Sequence, residues 1–237
     1  MTARSVTSNQ IDIYKNLEAV VRKYATTTFL RPVADHTREA FEQVSEFMRS
    51  FYGSQATGRL TGRLDLVLDS GCGTGESTIH LARKFPNVPV IGIDKSAVRL
   101  SKAGKECPAN AFWVRAELLD FWRLALERVQ AGEWNILHNA LYYPNPWPKE
   151  CEATRRFHLH PIFPVLMRLS PVTELRTNWE IYAREYKEAA RIAGDCLSLN
   201  VGVECSTFSP ENPETAFERK YQTAGQELYR VVVKAIK

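Results

Sequence analysis

Asp69-Ser70-Gly71-Cys72-Gly73-Thr74-Gly75-Glu76 lies between the apolar run Leu64-Asp65-Leu66-Val67-Leu68 and the helical pattern Ser77-Thr78-Ile79-His80-Leu81-Ala82. A strand that turns through glycines into a helix offers backbone N–H groups with no side-chain bulk above them. An adenosine-bearing ligand can then approach the main chain closely. The chemistry indicated is the binding of a nucleotide-type cofactor; the plainer alternative is a glycine-rich turn that merely closes a βα unit. A second candidate group follows one unit later, where Val88-Pro89-Val90-Ile91-Gly92-Ile93 reads as a buried strand ending in Asp94. An acidic residue at the end of the second strand of a nucleotide-binding sheet accepts hydrogen bonds from ribose hydroxyls. The same aspartate could instead cap the helix that begins near Ser96.

The glycines fall at Gly71, Gly73 and Gly75 with Asp69 ahead of them, a G-x-G-x-G spacing rather than the G-x-G-x-x-G of dinucleotide sites. This arrangement resembles that of S-adenosylmethionine-dependent methyltransferases. The resemblance implies S-adenosylmethionine as cofactor and S-adenosylhomocysteine as product, held by Asp69, Gly71, Gly73, Gly75 and Asp94. Glu117, just after the third strand, falls where such enzymes contact the adenine; a surface helix start is its other reading.

These groups need a sheet to hold them. From residue 61 onward strand-like and helix-like runs alternate. Strands are expected near 64–69, 88–94, 111–115, 134–142, 172–177, 197–203 and 228–234, and helices near 76–85, 95–105, 119–130, 161–169 and 179–193. Such alternation implies an α/β fold, a mostly parallel sheet covered by helices on both faces, with ligands at the carboxyl ends of the strands. Seven strands, the last antiparallel, is the count that the methyltransferase resemblance implies. Residues 1–60 show no strand signal. Ile13, Leu17, Val20, Val21 and Tyr24, then Phe41, Val44, Phe47, Met48 and Phe51, recur at helical spacing, so a two-helix extension is expected to precede the domain at 61–237. Gly53 to Gly58 and Gly62 read as the linker between them.

The composition excludes several classes. No apolar run is long enough to span a membrane and the amino terminus lacks a signal-peptide core, so a soluble, cytoplasmic protein is expected. Five cysteines with no C-x-x-C spacing argue against a disulfide framework and a zinc site, and Cys72 reads as a small space-filler. His158-x-His160 has no third ligand nearby, so no metal is expected. A net charge of +4 permits a polyanionic partner without requiring one.

After the fourth strand comes Tyr142-Tyr143-Pro144-Asn145-Pro146-Trp147-Pro148-Lys149, whose three prolines hold the backbone extended so that Asn145 and Trp147 project at fixed angles. Arg155-Arg156, Leu175-Arg176-Thr177-Asn178-Trp179-Glu180-Ile181-Tyr182-Ala183 and Thr215-Ala216-Phe217-Glu218-Arg219 follow. Taken together these resemble the bacterial tRNA (guanine-N7)-methyltransferase family, with its F-P-D-P-W-x-K loop, paired arginines, T-D-W-x-x-Y-A segment and T-x-F-E. The order matches from about residue 64 to the end. In two places the chain departs from the family: its aspartates are Asn145 and Asn178 here, and its arginine- and glycine-rich amino-terminal segment has no clear counterpart in Phe29 to His36.

The resemblance implies Asn145, Asn178 and Glu218 as catalytic groups. It also implies that Lys149, Arg155, Arg156, Asn178, Thr215 and Glu218 contact a substrate that is tRNA or another RNA. Spacing alone makes Thr215-x-x-Glu218 a helix capping box. Methylation at guanine N7 fits a site without an obligatory base, because N7 carries a lone pair and no proton. Two other readings compete. Asn145-Pro146-Trp147 also looks like the N-P-P-[YFW] loop of amine methyltransferases, and a non-catalytic RNA-binding or partner subunit could have kept the fold. A monomer or homodimer is expected.

Overall fold

The computed structural model describes residues 5–55, 62–103 and 107–236, so part of the expected linker and the end of the helix expected at 95–105 lie outside the described residues. The elements in chain order are α1 (Leu17–Ala25), α2 (Asp35–Gln55), β1 (Leu64–Ser70), α3 (Glu76–Lys84), β2 (Val90–Asp94), α4 (Ala97–Leu100), β3 (Ala111–Arg115), α5 (Leu118–Gln130), β4 (Trp134–Tyr142), α6 (Phe163–Leu169), β5 (Val172–Thr177), α7 (Glu180–Cys196), β6 (Val201–Phe208), α8 (Ala216–Thr223) and β7 (Leu228–Ala235). Short 3-10 turns lie at Glu150–Arg155 and Phe157–Leu159. The seven strands and their helices have the expected α/β class. The chain divides into two compact units, Arg31–Ala140 and Met1–Leu30 with Leu141–Lys237. The residues expected to form one amino-terminal extension are therefore shared out, α1 to the second unit and α2 to the first.

In the unit Arg31–Ala140 the strand order is β3-β2-β1-β4, and every pairing is parallel. Val67 pairs with Val90, Asp69 with Gly92 and Ile93 with Val114. Leu66, Val67 and Leu68 of β1 and Val90, Ile91 and Ile93 of β2 are all buried, which is why these strands read as unbroken apolar runs rather than alternating ones. The helical spacing of α2 places Phe41 against Trp134, ring centres 4.8 Å apart, and Phe47 against Phe112 at 4.7 Å. Buried Asn110 closes the turn from α3 into β2: its amide nitrogen donates to the carbonyls of Ala82 (3.0 Å), Phe85 (2.9 Å) and Val88 (2.9 Å).

In the other unit the strand order is β5-β7-β6, with β7 antiparallel to both neighbours. Leu175 of β5 and Val231 of β7 are paired and fully buried, as are Tyr182, Ala183, Tyr186, Ala189 and Ala190 of α7. β6 begins at Val201, later than expected, because α7 runs on to Cys196 and the chain turns through Ser198 at φ 54°. The apolar run at 197–199 is therefore a helix exit. α8 was not expected as a helix, although its capping pair was visible. No described helix is long and apolar enough to cross a membrane.

Asn110→Ala removes the side-chain donor from all three carbonyls; that of Phe85 keeps the Val88 N–H at 3.1 Å, and leaving the buried Ala82 acceptor without this bond costs about 1–3 kcal/mol. The urea midpoint is expected to fall accordingly. An unchanged midpoint would mean that the turn holds without the amide.

Candidate active site

The three glycines at the end of β1 all adopt left-handed backbone, with φ of 83° at Gly71, 60° at Gly73 and 77° at Gly75. Side-chain-bearing residues rarely adopt this region, which explains the alternate spacing. The turn is tied to the end of β2: the N–H groups of Gly71 and Cys72 donate to the Ile93 carbonyl at 2.8 and 3.0 Å, and that of Gly73 donates to Asp94 Oδ2 at 3.0 Å. Space is open where a Cβ would stand on Gly71 or Gly73, whereas on Gly75 it would lie 2.4 Å from Trp113 Nε1. Two glycines therefore leave the main chain accessible, and the third admits the Trp113 ring.

Asp94 is 4% exposed. Besides Gly73, it accepts from the Ser96 N–H at 2.8 Å and pairs with Arg99 at 3.0 Å. The cap of α4 is Ser96, not Asp94: its hydroxyl accepts from the Arg99 N–H. A carboxylate offers about four acceptor positions, so these three donors leave room for one hydroxyl. Asp69 is 1% exposed, and its Oδ2 accepts from the hydroxyls of Ser77 (2.7 Å) and Thr78 (2.6 Å), which fixes the start of α3 to the end of β1. Asp69 thus acts within the fold, behind the turn. Glu117 is half-buried, immediately precedes α5, and donates its N–H to Thr37 Oγ1 at 3.0 Å. Burial, then the charges of Asp69 and Asp94, push the Cys72 thiol up, so it fills space as the protonated form.

In the unit that includes Leu141–Lys237, the proline loop is bounded by two strained aromatics, Tyr143 at φ 50° and Trp147 at φ 45°. Asn145 is exposed, and its Oδ1 accepts from the Trp147 N–H at 3.3 Å, an Asx-type turn that an aspartate could equally make. Asn178 donates to Gln226 Oε1 at 3.0 Å. Lys149 is exposed. Arg155 is also exposed, pairs with Glu152 at 3.2 Å and stacks on the Trp147 ring at 4.7 Å.

Arg156, expected to reach RNA with Arg155, is fully buried. Its guanidinium donates to both oxygens of Glu185 (2.8 and 2.7 Å), to Gln10 Oε1 (2.9 Å), to the Pro146 carbonyl (3.2 Å) and to the Trp147 carbonyl (2.9 Å). A side chain without solvent exposure cannot contact a phosphate, and what it holds instead is the proline loop. Glu185 also accepts from Gln10 Nε2 and from the Tyr14 N–H, both at 2.7 Å, and lies 2.9 Å from His158 Nε2. Ser8 adds a bond to the Pro148 carbonyl at 2.5 Å. His158 is thereby committed, and His160 accepts the Ile162 N–H at 3.1 Å.

Thr215 and Glu218 take the capping arrangement. Thr215 Oγ1 accepts from the Glu218 N–H at 3.0 Å, and Glu218 Oε2 accepts from the Glu214 N–H at 2.7 Å. The other Glu218 oxygen binds Arg176 at 2.8 Å, and Glu218 is fully buried. These two residues therefore position α8 and do not offer free groups. Arg176 also pairs with Glu174 (2.7 Å) and Glu214 (3.3 Å), and stacks on Tyr142 at 4.0 Å. Arg176, Glu174, Glu185 and Gln10 were not singled out in the sequence. The available signal was Glu174-x-Arg176, two opposite charges on one face of a strand that is otherwise uncharged.

Two predictions follow from this geometry. Gly71→Ala is expected to cost about 1–2 kcal/mol for its left-handed backbone, and Gly75→Ala to cost about 1–3 kcal/mol more through overpacking on Trp113. Urea denaturation of both variants ranks them; equal midpoints would remove the distinction. The second concerns pH. Burial lowers the His158 pKa below 6.5. For Glu185, burial acts upward but is outweighed by His158 and Arg156, which hold the carboxyl down at about 2 against an ordinary 4.5. Both groups bind protons more readily when unfolded, so their stabilisation is complete above pH 6.5 and 4.5 respectively and is lost on acidification. Melting temperature should drop from pH 7 to pH 5 in the parent and drop less in His158→Gln. A parent profile that is flat over that range would contradict this.

The model of a family described as "Putative methyltransferase" matches residues 64–231. The chain is 25% identical over 169 residues to the tRNA (guanine-N(7)-)-methyltransferase of Treponema pallidum (strain Nichols), covering 70% of this chain and 65% of that protein. It is 26% identical over 200 residues to the enzyme of the same name from Mycobacterium ulcerans (strain Agy99), covering 78% and 66%. The chain thus spans just under two thirds of the length of these curated relatives. Among solved structures, "Structure of an Antibiotic Related Methyltransferase" superposes with a TM-score of 0.53 at 15% identity, covering 90% of this chain and 98% of that one, a likeness of fold.

Proposed function

The chain belongs to the putative methyltransferase family, and from that premise we propose that it transfers the methyl group of S-adenosylmethionine to guanine N7 in tRNA, in the cytoplasm. One observation carries the reading: the left-handed turn Gly71–Gly75, open above Gly71 and Gly73, is locked by two hydrogen bonds to the Ile93 carbonyl and one to Asp94, whose carboxylate keeps capacity for a ribose hydroxyl. These residues fit the adenosyl group, with Gly71 and Gly73 beneath it, Asp94 on the ribose and Glu117 on the adenine. When bound, S-adenosylmethionine supplies an activated methyl group.

The acceptor side needs little more than placement. Guanine N7 forms its bond to the methyl carbon as the carbon–sulfur bond breaks, and the positive charge moves onto the purine with no proton to be removed. Asn145 and Asn178 hold the base through neutral hydrogen bonds, and Arg155 and Lys149 meet phosphate. Glu218, committed to Arg176 and to the Glu214 N–H, acts as a positioning residue. The names of the relatives at 25–26% identity favour tRNA as substrate.

Calorimetry with S-adenosylhomocysteine tests the cofactor half. Loss of a charge-assisted bond in Asp94→Ala should weaken binding by about 1.5–3 kcal/mol, and unchanged binding would remove Asp94 from the ribose. Nucleoside mass spectrometry of tRNA after incubation with the cofactor tests the rest. The expected product is 7-methylguanosine, increased in Asn145→Asp because a carboxylate stabilises the developing purine cation better than an amide. Less product in that variant would favour the amine-methylating loop. Cofactor binding without any RNA product would sink the reading.

A further inference from the structure

We propose that Tyr143, Phe217 and Tyr221 form a stacking platform for an unpaired nucleobase of the RNA, a substrate-binding subsite of the reaction proposed above, on which this inference rests. The three rings form a closed cluster: Tyr143 lies 6.1 Å from Phe217 and 5.7 Å from Tyr221, and Phe217 lies 6.0 Å from Tyr221 with the planes only 21° apart. Phe217 and Tyr221 are one helical turn apart on α8, so their faces align. Phe217 is 46% exposed, an unusual position for a phenylalanine that has two aromatic neighbours to pack against. Tyr143, by contrast, is held from below. Its left-handed backbone at φ 50° is fixed by an N–H bond to the Arg176 carbonyl at 2.7 Å. Strain of this kind persists where the surroundings over-determine it, and it marks sites with a task.

The occupant follows from chemistry and size. A flat π-face is matched by another flat π-system, and every base has one. The rings carry a cation beside them, Lys220 Nζ at 6.0 Å from the Tyr221 ring, and Tyr143 runs directly into the proline loop with its own exposed cation over an aromatic, Arg155 on Trp147 at 4.7 Å. Aromatics interleaved with cations suit single-stranded nucleic acid. A second copy of the chain is a poorer match, because a stable dimer buries roughly 800 Å² on each partner and this patch presents chiefly one half-exposed phenylalanine. Phe217 is separated by a single residue from Thr215 and adjoins Glu218, so the buried Arg176–Glu218 pair sets where the platform stands.

The test uses the full chain and a short single-stranded oligoribonucleotide containing 2-aminopurine, whose emission is quenched on stacking. Parent and Phe217→Trp are expected to quench it. Phe217→Ala and Tyr221→Ala are expected to lose the quenching and to bind about 5- to 100-fold more weakly, the range for one base–aromatic stack. Affinity for S-adenosylhomocysteine should stay the same in all of them, which also shows that they fold; Phe217→Leu keeps the apolar volume and should behave like Phe217→Ala. Equal RNA affinity and quenching in parent and alanine variants would overturn the platform and leave the methyltransferase reading standing. A parent that binds the cofactor but no RNA would overturn both. Dissociation of a dimer by Phe217→Ala in sedimentation would assign the surface to a second copy and overturn the nucleobase.

Discussion

Removing an arginine and a glutamate from water costs several kcal/mol for each ion, which is recovered only where nearly every donor and acceptor is satisfied. Arg156 and Glu185, both fully buried, meet that condition by recruiting partners from distant parts of the chain: Gln10 and Tyr14 before α1, the carbonyls of Pro146 and Trp147, and His158. The requirement runs in both directions. The pair is tolerable because the proline loop and the segment before α1 supply hydrogen bonds, and those two stretches, which have no regular ladder of their own, are fixed because the pair needs them. Breaking such a pair from one side costs far more than replacing both members.

How legible the molecule was in its sequence depended on the range of the interaction. β1 to β4 were visible as apolar runs because both faces of a parallel sheet are covered, and their bounds were found within a residue or two. β6 was misplaced, since Leu197-Ser198-Leu199 has strand-like composition while α7 runs up to it, ends at Cys196 and leaves through Ser198. The glycine spacing gave the turn but could not separate Gly71 and Gly73, which leave space, from Gly75, which admits Trp113. Arg156 looked like half of a basic pair on a surface. Its burial depends on Glu185 and Gln10, and pairings across such separations leave no local pattern. Thr215-x-x-Glu218 shows the opposite case, a local rule that held even at a position matching a functional motif.

Asn145 and Asn178, where the family that the sequence resembles has aspartates, bear on electrostatics, less so on positioning. The backbone strain at Tyr143 and Trp147 is of order 1–3 kcal/mol each, and it is sustained by specific clamps: the Tyr143 N–H on the Arg176 carbonyl, and the Trp147 carbonyl on Arg156. An amide at Asn145 takes the Trp147 N–H as a carboxylate would, so the loop keeps its shape. The charge, meanwhile, is not wholly absent from this unit. Arg176 is met by three carboxylates, Glu174, Glu214 and Glu218, and Arg230, its partner across the β5–β7 ladder, is the second guanidinium there. α8 itself carries the cations Arg219 and Lys220, so these carboxylates do not replace a charge at Asn145 or Asn178, and a reaction that places positive charge on its acceptor depends chiefly on how rigidly that acceptor is held.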